Sequence, residues 1–221
     1  MRIAIIGTGN VGKALGTSLV RAGHDVTFAA QDAEKTRKVA AEIGGSASTS
    51  AADAASGADA IVLAIPYRAA QAVAQSLGAS AAGKVVIDAT NPLKPDFSGL
   101  ATEGGPSAGE QIAAALPDAH VAKAFNTLFA SLQADPEAQG TTLDALFATD
   151  DDDARRVLRD LLTSMGFRAV DAGPLKNARE LEALAWLNMQ LQMAVNGAWT
   201  SGFVLVGAPS AATTEVAHSR R

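Results

Sequence analysis

The chain has 221 residues, a formal net charge of −5 and no cysteine. This length suits one large domain, and the lack of cysteine excludes disulfides, thiolate metal sites and cysteine nucleophiles and agrees with a cytoplasmic location. The acidic balance argues against a nucleic-acid partner, and no stretch has the apolar length of a membrane span.

The clearest motif is formed by the first twelve residues, MRIAIIGTGNVG. Its apolar run, Ile3 to Ile6, predicts a buried strand, and the glycines at positions 7, 9 and 12 lead into a helix. Gly7 permits a tight turn, Gly9 lets a phosphate approach the backbone, and Gly12 lets the helix pack closely on the strand. The N–H groups at the helix start then face an anion. This arrangement predicts a site for a dinucleotide pyrophosphate, formed by Gly7, Thr8, Gly9, Asn10, Val11 and Gly12.

Strands and helices alternate along most of the remaining chain. The further predicted strands comprise residues 25–29, 46–49, 59–65, 84–89, 120–125, 142–149 and 167–171. The predicted helices begin near residues 11, 31, 50, 67, 107 and 150, with Gly23 ending the first and Asp32 capping the second. Residues 93–106 are rich in glycine, proline and small polar residues, which predicts a loop. This alternation predicts an α/β fold with a doubly wound, Rossmann-type parallel sheet.

The C-terminal part has a different pattern. Residues 177–206 are predicted to form one long, mostly apolar helix, and a helix that is apolar on nearly all sides is buried. We therefore expect this helix to pack on the sheet and on a second subunit, which makes the protein a homodimer. The sequence accordingly divides into a dinucleotide-binding domain (1–175), a small C-terminal helical part (176–206) and a flexible tail (207–221).

In doubly wound sheets, ligands bind outside the carboxyl ends of the strands. This rule selects, besides the glycine motif, residues 29–32, 65–68, 90–93 and 125–127. Ile65, Pro66 and Tyr67 are predicted to form a wall of the cofactor site, although a plain strand end with a packed tyrosine would leave the same pattern. Asn91 either caps a turn or uses its amide to hold a carboxamide or a sugar. Three further residues are expected at this edge: Pro92, Leu93 and Asn126.

The end of the second strand decides which dinucleotide binds. An acid there bonds the 2′-hydroxyl of NAD, whereas a hydroxyl and an arginine accept the 2′-phosphate of NADP. The chain offers Ala29, Ala30, Gln31 and Asp32, and then Lys35 and Arg37. Asp32 is more simply interpreted as a helix cap than as a ribose acid, and Lys35 either reaches a phosphate or remains solvated. These residues leave the choice between NADP and NAD open.

No side chain stands out as a catalytic residue or a metal ligand. The three histidines share no metal-ligand spacing and pair with no activated serine, and the acidic run 150–153 is explained by caps at a helix start. Lys123 is unusual in a buried strand, so it lies near the exposed end of the strand or pairs with an acid. We predict no metal site and no catalytic base, which suits direct hydride transfer between two bound cofactors.

Four segments resemble the family of NADP oxidoreductases that depend on coenzyme F420, a deazaflavin. They are IGTGNVGKALG from Ile6, IDATNPL from Ile87, VAKAFNT from Val121 and DAGPLKNARELEAL from Asp171. The last segment is the most specific, because DAGPL leading into a long apolar helix is not a general feature of dinucleotide-binding folds. The resemblance spans residues 1–206 and is closest to the bacterial members.

The resemblance implies a dimeric oxidoreductase that passes a hydride between NADP and F420. NADP would lie across residues 7–12 with its nicotinamide near residues 65–67, and the deazaflavin would stack over it near residues 91–93 and the following loop. The typical member grips the 2′-phosphate with a serine and an arginine where this chain has Ala30 and Gln31, and only the matching lysine, Lys35, is kept. Loss of an arginine–phosphate contact costs about 1.5–3 kcal/mol, which makes NAD an alternative to NADP.

Two other hypotheses fit the same residues. One is an NAD(P)H-dependent reductase of flavin or of a ferric chelate, because relatives of this fold serve such chemistry. The other is a non-catalytic NAD(P)-binding sensor module, which would also lack a catalytic base.

Overall fold

A central sheet organises the structure, a computed structural model that describes residues 1–137 and 140–207. The strands are Arg2–Ile6 (β1), Asp25–Ala29 (β2), Ser46–Ala47 (β3), Ala60–Leu63 (β4), Val85–Asp88 (β5), His120–Ala124 (β6), Asp144–Thr149 (β7) and Arg168–Asp171 (β8). The α-helices are Asn10–Arg21 (α1), Ala33–Ile43 (α2), Ala51–Ser56 (α3), Tyr67–Leu77 (α4), Ala108–Ala115 (α5), Ala130–Ala134 (α6), Asp152–Ser164 (α7) and Ala178–Ala194 (α8). Short 3₁₀ segments occur at Gly78–Ala81 and Leu175–Asn177.

Within the described residues the strands form one sheet in the order β3-β2-β1-β4-β5-β6-β7-β8. Strands β1 to β6 are parallel, which confirms the doubly wound α/β fold. The sheet departs from parallel pairing at its far side, where β7 pairs antiparallel with β6 and β8 follows β7 in parallel. The reason is the connection after β6, whose described residues contain one short helix, the five-residue α6, packed against α1. The chain therefore enters β7 at the same end of the sheet at which it leaves β6, so the two strands run in opposite directions.

The strands at the centre of the sheet are covered on both faces. In β1, Ile3 and Ile5 face one apolar cluster, together with Leu15 and Leu19 of α1. Ala4 and Ile6 face the other cluster, which α3, α4 and α5 complete. This two-sided burial explains the continuous apolar runs at residues 3–6 of β1, 60–63 of β4 and 85–87 of β5.

Most predicted element boundaries agree with the structure to within about two residues. Helix α4 spans the predicted residues 67–77, and Gly23 follows α1 with a left-handed φ of 83°. The predicted cap of α2 is confirmed, because the Asp32 carboxylate accepts the Lys35 backbone N–H at 2.9 Å. Ser107 caps α5 through a reciprocal capping box with Glu110.

The predicted helix 177–206 is wrong in its C-terminal third. Helix α8 ends at Ala194, and Asn196 has a left-handed φ of 47°. Side chains of the helix capture the following segment: Asn188 Nδ2 donates to the Ser201 carbonyl at 3.0 Å, and Gln192 Oε1 accepts the Trp199 N–H at 2.8 Å. The chain therefore folds back along α8 instead of extending it.

Against the described residues, helix α8 buries one face and leaves apolar side chains of another face exposed. Leu181, Glu182 and Ala185 are buried, whereas Leu187 and Leu191 are 48% and 54% exposed.

Among the described residues, no helix is long and apolar enough to cross a membrane. The predicted tail, residues 207–221, lies outside the described residues except for Gly207.

Candidate active site

A cavity of about 640 Å³ lies at the carboxyl ends of β1, β2 and β4. This volume is within the range of small-molecule sites in proteins. Three segments that the sequence analysis selected contribute to its lining: the glycine loop after β1, the start of α2, and the start of α4. Eight of the predicted site residues line this one cavity: Gly7, Thr8, Gly9, Ala30, Gln31, Lys35, Ile65 and Pro66.

Two of the three motif glycines are required by the protein itself. Gly7 has a φ of 122°, and a Cβ there would lie 2.1 Å from the Ala64 carbonyl oxygen. A Cβ on Gly12 would lie 2.1 Å from the Gly7 carbonyl oxygen. These close approaches of backbone to backbone fix the turn between β1 and α1.

Gly9 is different, because a Cβ there would meet no described residue within 4 Å apart from its own chain neighbours. Gly9 is the N-cap of α1, makes no side-chain cap bond, and lines the cavity. The N–H groups at the start of α1, including those of Asn10, Val11 and Gly12, have no partner within the helix, and the first turn has no acid. The open space at Gly9 and the positive end of α1 fit a bound pyrophosphate.

Lys35 and Arg68 bring two positive charges to the cavity from opposite sides of β1. Lys35 lies in the first turn of α2, and Arg68 lies in the first turn of α4. Within the described residues, neither Lys35 Nζ nor the Arg68 guanidinium forms an ion pair or a hydrogen bond. The sequence analysis included Arg68 in the range 65–68 at the carboxyl edge but assigned it no role in the site.

Tyr67 lies outside this cavity. Its hydroxyl donates to Gln111 Oε1 of α5 at 2.9 Å, and it lines a separate cavity of about 140 Å³ between α4 and α5. The structure thus favours the packed-tyrosine interpretation over a wall of the larger cavity.

Asn91 and Asn126 join the ends of β5 and β6 to each other. Asn91 Nδ2 donates to the Asn126 carbonyl at 2.9 Å, and Asn126 Nδ2 donates to Asn91 Oδ1 at 3.1 Å. Pro92 and Leu93 continue into the loop 93–106, which folds back through an antiparallel bridge between Leu93 and Leu100. These four predicted residues lie at the carboxyl edge but do not line the 640 Å³ cavity.

The edge formed by β5 and β6 carries unsatisfied polar atoms. Thr90 Oγ1, Asn126 Oδ1 and Thr127 Oγ1 are buried and have no hydrogen-bond partner among the described residues. Phe125, just before them, is fully buried with a left-handed φ of 65°, a conformation that is uncommon for an aromatic residue. Gln133 Nε2 donates to the Phe125 carbonyl at 3.0 Å and holds this bend.

Lys123 is paired, which decides between the two interpretations of this residue. Its Nζ donates to Asp88 Oδ2 at 2.7 Å, to Glu182 Oε1 at 2.9 Å and to the Thr90 carbonyl at 2.7 Å. All three charged side chains are fully buried. Burial raises the pKa of Glu182 above its ordinary value, and the positive charge of Lys123 only partly opposes this shift. The cluster therefore ties β5 and β6 to α8.

A second cavity, of about 520 Å³, lies between the loop 93–106 and α8. Loop residues from Ser98 to Gly105 form one wall, and Arg179, Glu180 and Trp186 form the other. Asp151 caps α7, as predicted, because its Oδ1 accepts the Ala154 N–H at 2.8 Å, and Asp152 and Asp153 lie in the first turn of that helix. Asp150 instead accepts the Leu175 N–H at 3.0 Å.

Comparison with known proteins is consistent with this geometry. The family model for coenzyme F420-dependent NADP oxidoreductases matches residues 2–92. The F420-dependent NADP reductase of Methanothermobacter thermautotrophicus is 35% identical over 211 residues, which cover 87% of this chain and 90% of that protein. A solved structure from Arthrobacter sp. FB24, provisionally assigned as an F420-dependent NADP reductase, is 31% identical and superposes with a TM-score of 0.84 over 93% of this chain and 99% of the other. Rat metalloreductase STEAP3 is 28% identical over 184 residues, 83% of this chain and 36% of that protein.

Proposed function

The chain belongs to the family of coenzyme F420-dependent NADP oxidoreductases, and we propose from this that its reaction is hydride transfer between NADP(H) and F420. The observation that carries the proposal is the open, uncapped start of α1 at Gly9, beside a cavity of about 640 Å³. A solvent-accessible helix start of this kind favours a bound anion, and a dinucleotide pyrophosphate supplies one.

In this proposal the chain's own residues bind and orient two substrates. When bound, NADPH supplies a hydride that the deazaflavin of F420 accepts. Residues 7–12 hold the pyrophosphate, Gln31 and Lys35 adjoin the ribose, and Ile65 with Pro66 shields one side of the cavity from water. The edge of β5 and β6, with residues 91–93 and Asn126, is our proposed position for the second substrate, because its unsatisfied polar atoms need a partner.

The direct experiment mixes the purified protein with NADPH and oxidised F420 and follows the absorbance of the deazaflavin. We expect its bleaching to depend on both the protein and NADPH, with NADH measured in parallel. An absence of turnover with both NADPH and NADH would refute the proposed reaction.

A second candidate function is reduction of a flavin or a ferric chelate by NAD(P)H. The similarity to rat STEAP3, a metalloreductase of which this chain spans about a third, favours it. Steady-state rates with F420, free flavin and ferric citrate, measured at equal concentrations, separate the two candidates. A faster rate with flavin or ferric citrate than with F420 would favour the second.

We also propose a cytoplasmic homodimer that has no nucleic-acid partner. The exposed apolar side chains Leu187, Leu191 and Val195 support a subunit interface on α8. The net charge of −5 supports the absence of a nucleic-acid partner, and the absence of cysteine supports the cytoplasmic location. Within each subunit, residues 1–175 would form the dinucleotide-binding part and residues 176–206 the part that contacts the other subunit. Sedimentation as a monomer at micromolar concentration would contradict the dimer.

A further inference from the structure

We propose that Arg68 determines the selectivity for NADP over NAD, by binding the 2′-phosphate together with Lys35. This inference rests on the proposed function insofar as a dinucleotide occupies the 640 Å³ cavity. In this proposal the selectivity for NADP depends on the start of α4 as well as on the end of β2.

The topology places the two cations on either side of the pyrophosphate position. Strands β2 and β4 flank β1 in the sheet, about 9–10 Å apart at ordinary strand spacing. Helices α2 and α4 start at the same edge, and both Lys35 and Arg68 line the cavity that the glycine loop closes. A group that extends from the start of α1 toward the ribose therefore lies between these two side chains.

Arg68 lies where the fold itself does not favour a positive charge, whereas Lys35 has Asp32 and Glu34 at the start of its helix. A positive side chain in the first turn of a helix is unfavourable, because that end of the helix dipole is already positive. Helix α4 has no acid in its first turn and no side-chain cap to offset Arg68. Among the described residues neither cation has an ion-pair partner. Asp32, the remaining charged residue of the lining, keeps its negative charge while it caps α2, so the lining carries two positive charges and one negative charge. This net positive charge favours an anionic ligand group.

The ligand group that matches them is a phosphate in addition to the pyrophosphate. The start of α1 already serves the pyrophosphate, so its two phosphates do not require Arg68. A guanidinium forms paired hydrogen bonds with phosphate oxygens, and the 2′-phosphate is the group that NADP has and NAD lacks. Ala30 cannot donate a side-chain hydrogen bond, and Gln31 supplies only an uncharged amide. Arg68 and Lys35 are therefore the charged donors for this phosphate.

The test measures binding of NADPH and NADH by fluorescence titration, without any electron acceptor. It compares the wild type with Arg68→Gln, Arg68→Lys and the matched control Arg37→Gln, which removes an equal charge from an exposed position of α2 outside the cavity. Titrations with adenosine 2′,5′-bisphosphate and 5′-AMP repeat the comparison on fragments that differ in the 2′-phosphate.

We expect the wild type to bind NADPH at least about tenfold more tightly than NADH. Arg68→Gln should weaken NADPH binding about 10- to 100-fold and NADH binding less than about twofold. The NADPH affinity of Arg68→Lys should lie between those of the wild type and Arg68→Gln, and the affinities of Arg37→Gln should equal those of the wild type. A wild type that prefers NADH would overturn the inference, and so would an Arg68→Gln protein that loses NADPH and NADH equally, as stacking of Arg68 on the adenine would produce. Because no acceptor is present, failure of F420 reduction in the separate assay would refute the proposed reaction without changing this result.

Discussion

A substitution at Gly9 should change the stability of the protein and its affinity for NADPH in opposite directions. In the Gly9→Asp variant, the new carboxylate occupies the N-cap of α1, whose backbone angles (φ −76°, ψ −171°) suit an ordinary residue. Apart from its chain neighbours, no described residue lies within 4 Å of the new Cβ, so the Cβ itself introduces no clash.

The variant should be more stable than the wild type. An aspartate N-cap gains a few tenths of a kcal/mol over glycine, and its charge gains about 0.3–1 kcal/mol from the helix dipole. Removing a glycine from the unfolded chain adds about 0.4–1 kcal/mol. Together these give about 1–2 kcal/mol, measured as a higher midpoint of urea denaturation.

The same variant should lose NADPH binding. A carboxylate about 4 Å from a phosphate charge raises the energy of the complex by about 4 kcal/mol at an effective dielectric constant near 20, which corresponds to about a 1,000-fold loss of affinity. Gly57→Asp is the matched control, because Gly57 is also exposed, has open space at its Cβ position and lies outside the 640 Å³ cavity. Its NADPH affinity should be unchanged. A Gly9→Asp protein that is less stable than the wild type, or that binds NADPH equally well, would refute our account of this glycine.

Three further predictions concern the buried charges and the exposed helix face. Lys123→Met leaves Asp88 and Glu182 buried without their cation and should lower the free energy of unfolding by about 3–5 kcal/mol in urea titrations; a loss below about 1 kcal/mol would contradict the buried cluster. Because the pKa of Glu182 is raised in the folded state, the stability that its proton contributes is present at low pH and lost as pH rises through that pKa. The wild type should therefore lose stability relative to Glu182→Gln as pH rises from 4 to neutral, whereas a constant difference would show that Glu182 does not titrate. Leu191→Glu should convert the proposed dimer into a monomer in sedimentation experiments, while a dimer of unchanged affinity would place the interface elsewhere.

The parts of the structure that were predicted correctly depend on local patterns. The glycine motif, the cap at Asp32 and the limits of α4 follow from residues within one turn of each other, so the chain shows them directly. The α/β class follows in the same way from the order of apolar runs.

The errors and omissions involve partners distant in sequence. Lys123 bonds to Asp88, 35 residues away, and to Glu182, 59 residues away, so the sequence could indicate that a partner was needed but not which one. Helix α8 ends early because Asn188 captures Ser201, a tertiary contact that helical periodicity does not contain. The direction of β7 depends on where the chain turns after β6, and the site role of Arg68 depends on which side chains share a cavity.

The Lys123 cluster also has a consequence for the order of folding. Glu182 of α8 accepts hydrogen bonds from Lys123 and from the backbone N–H of Ala108 at the start of α5, at 2.9 Å each. A nascent chain that has not yet emerged beyond residue 178 lacks this acceptor. Lys123 then keeps only Asp88 and the Thr90 carbonyl as partners, and the Ala108 N–H stays hydrated or unpaired. Strands β5 and β6 therefore reach their final packing only after the C-terminal segment has been synthesised. A truncated chain that ends at residue 175 should not survive as an independent folding unit.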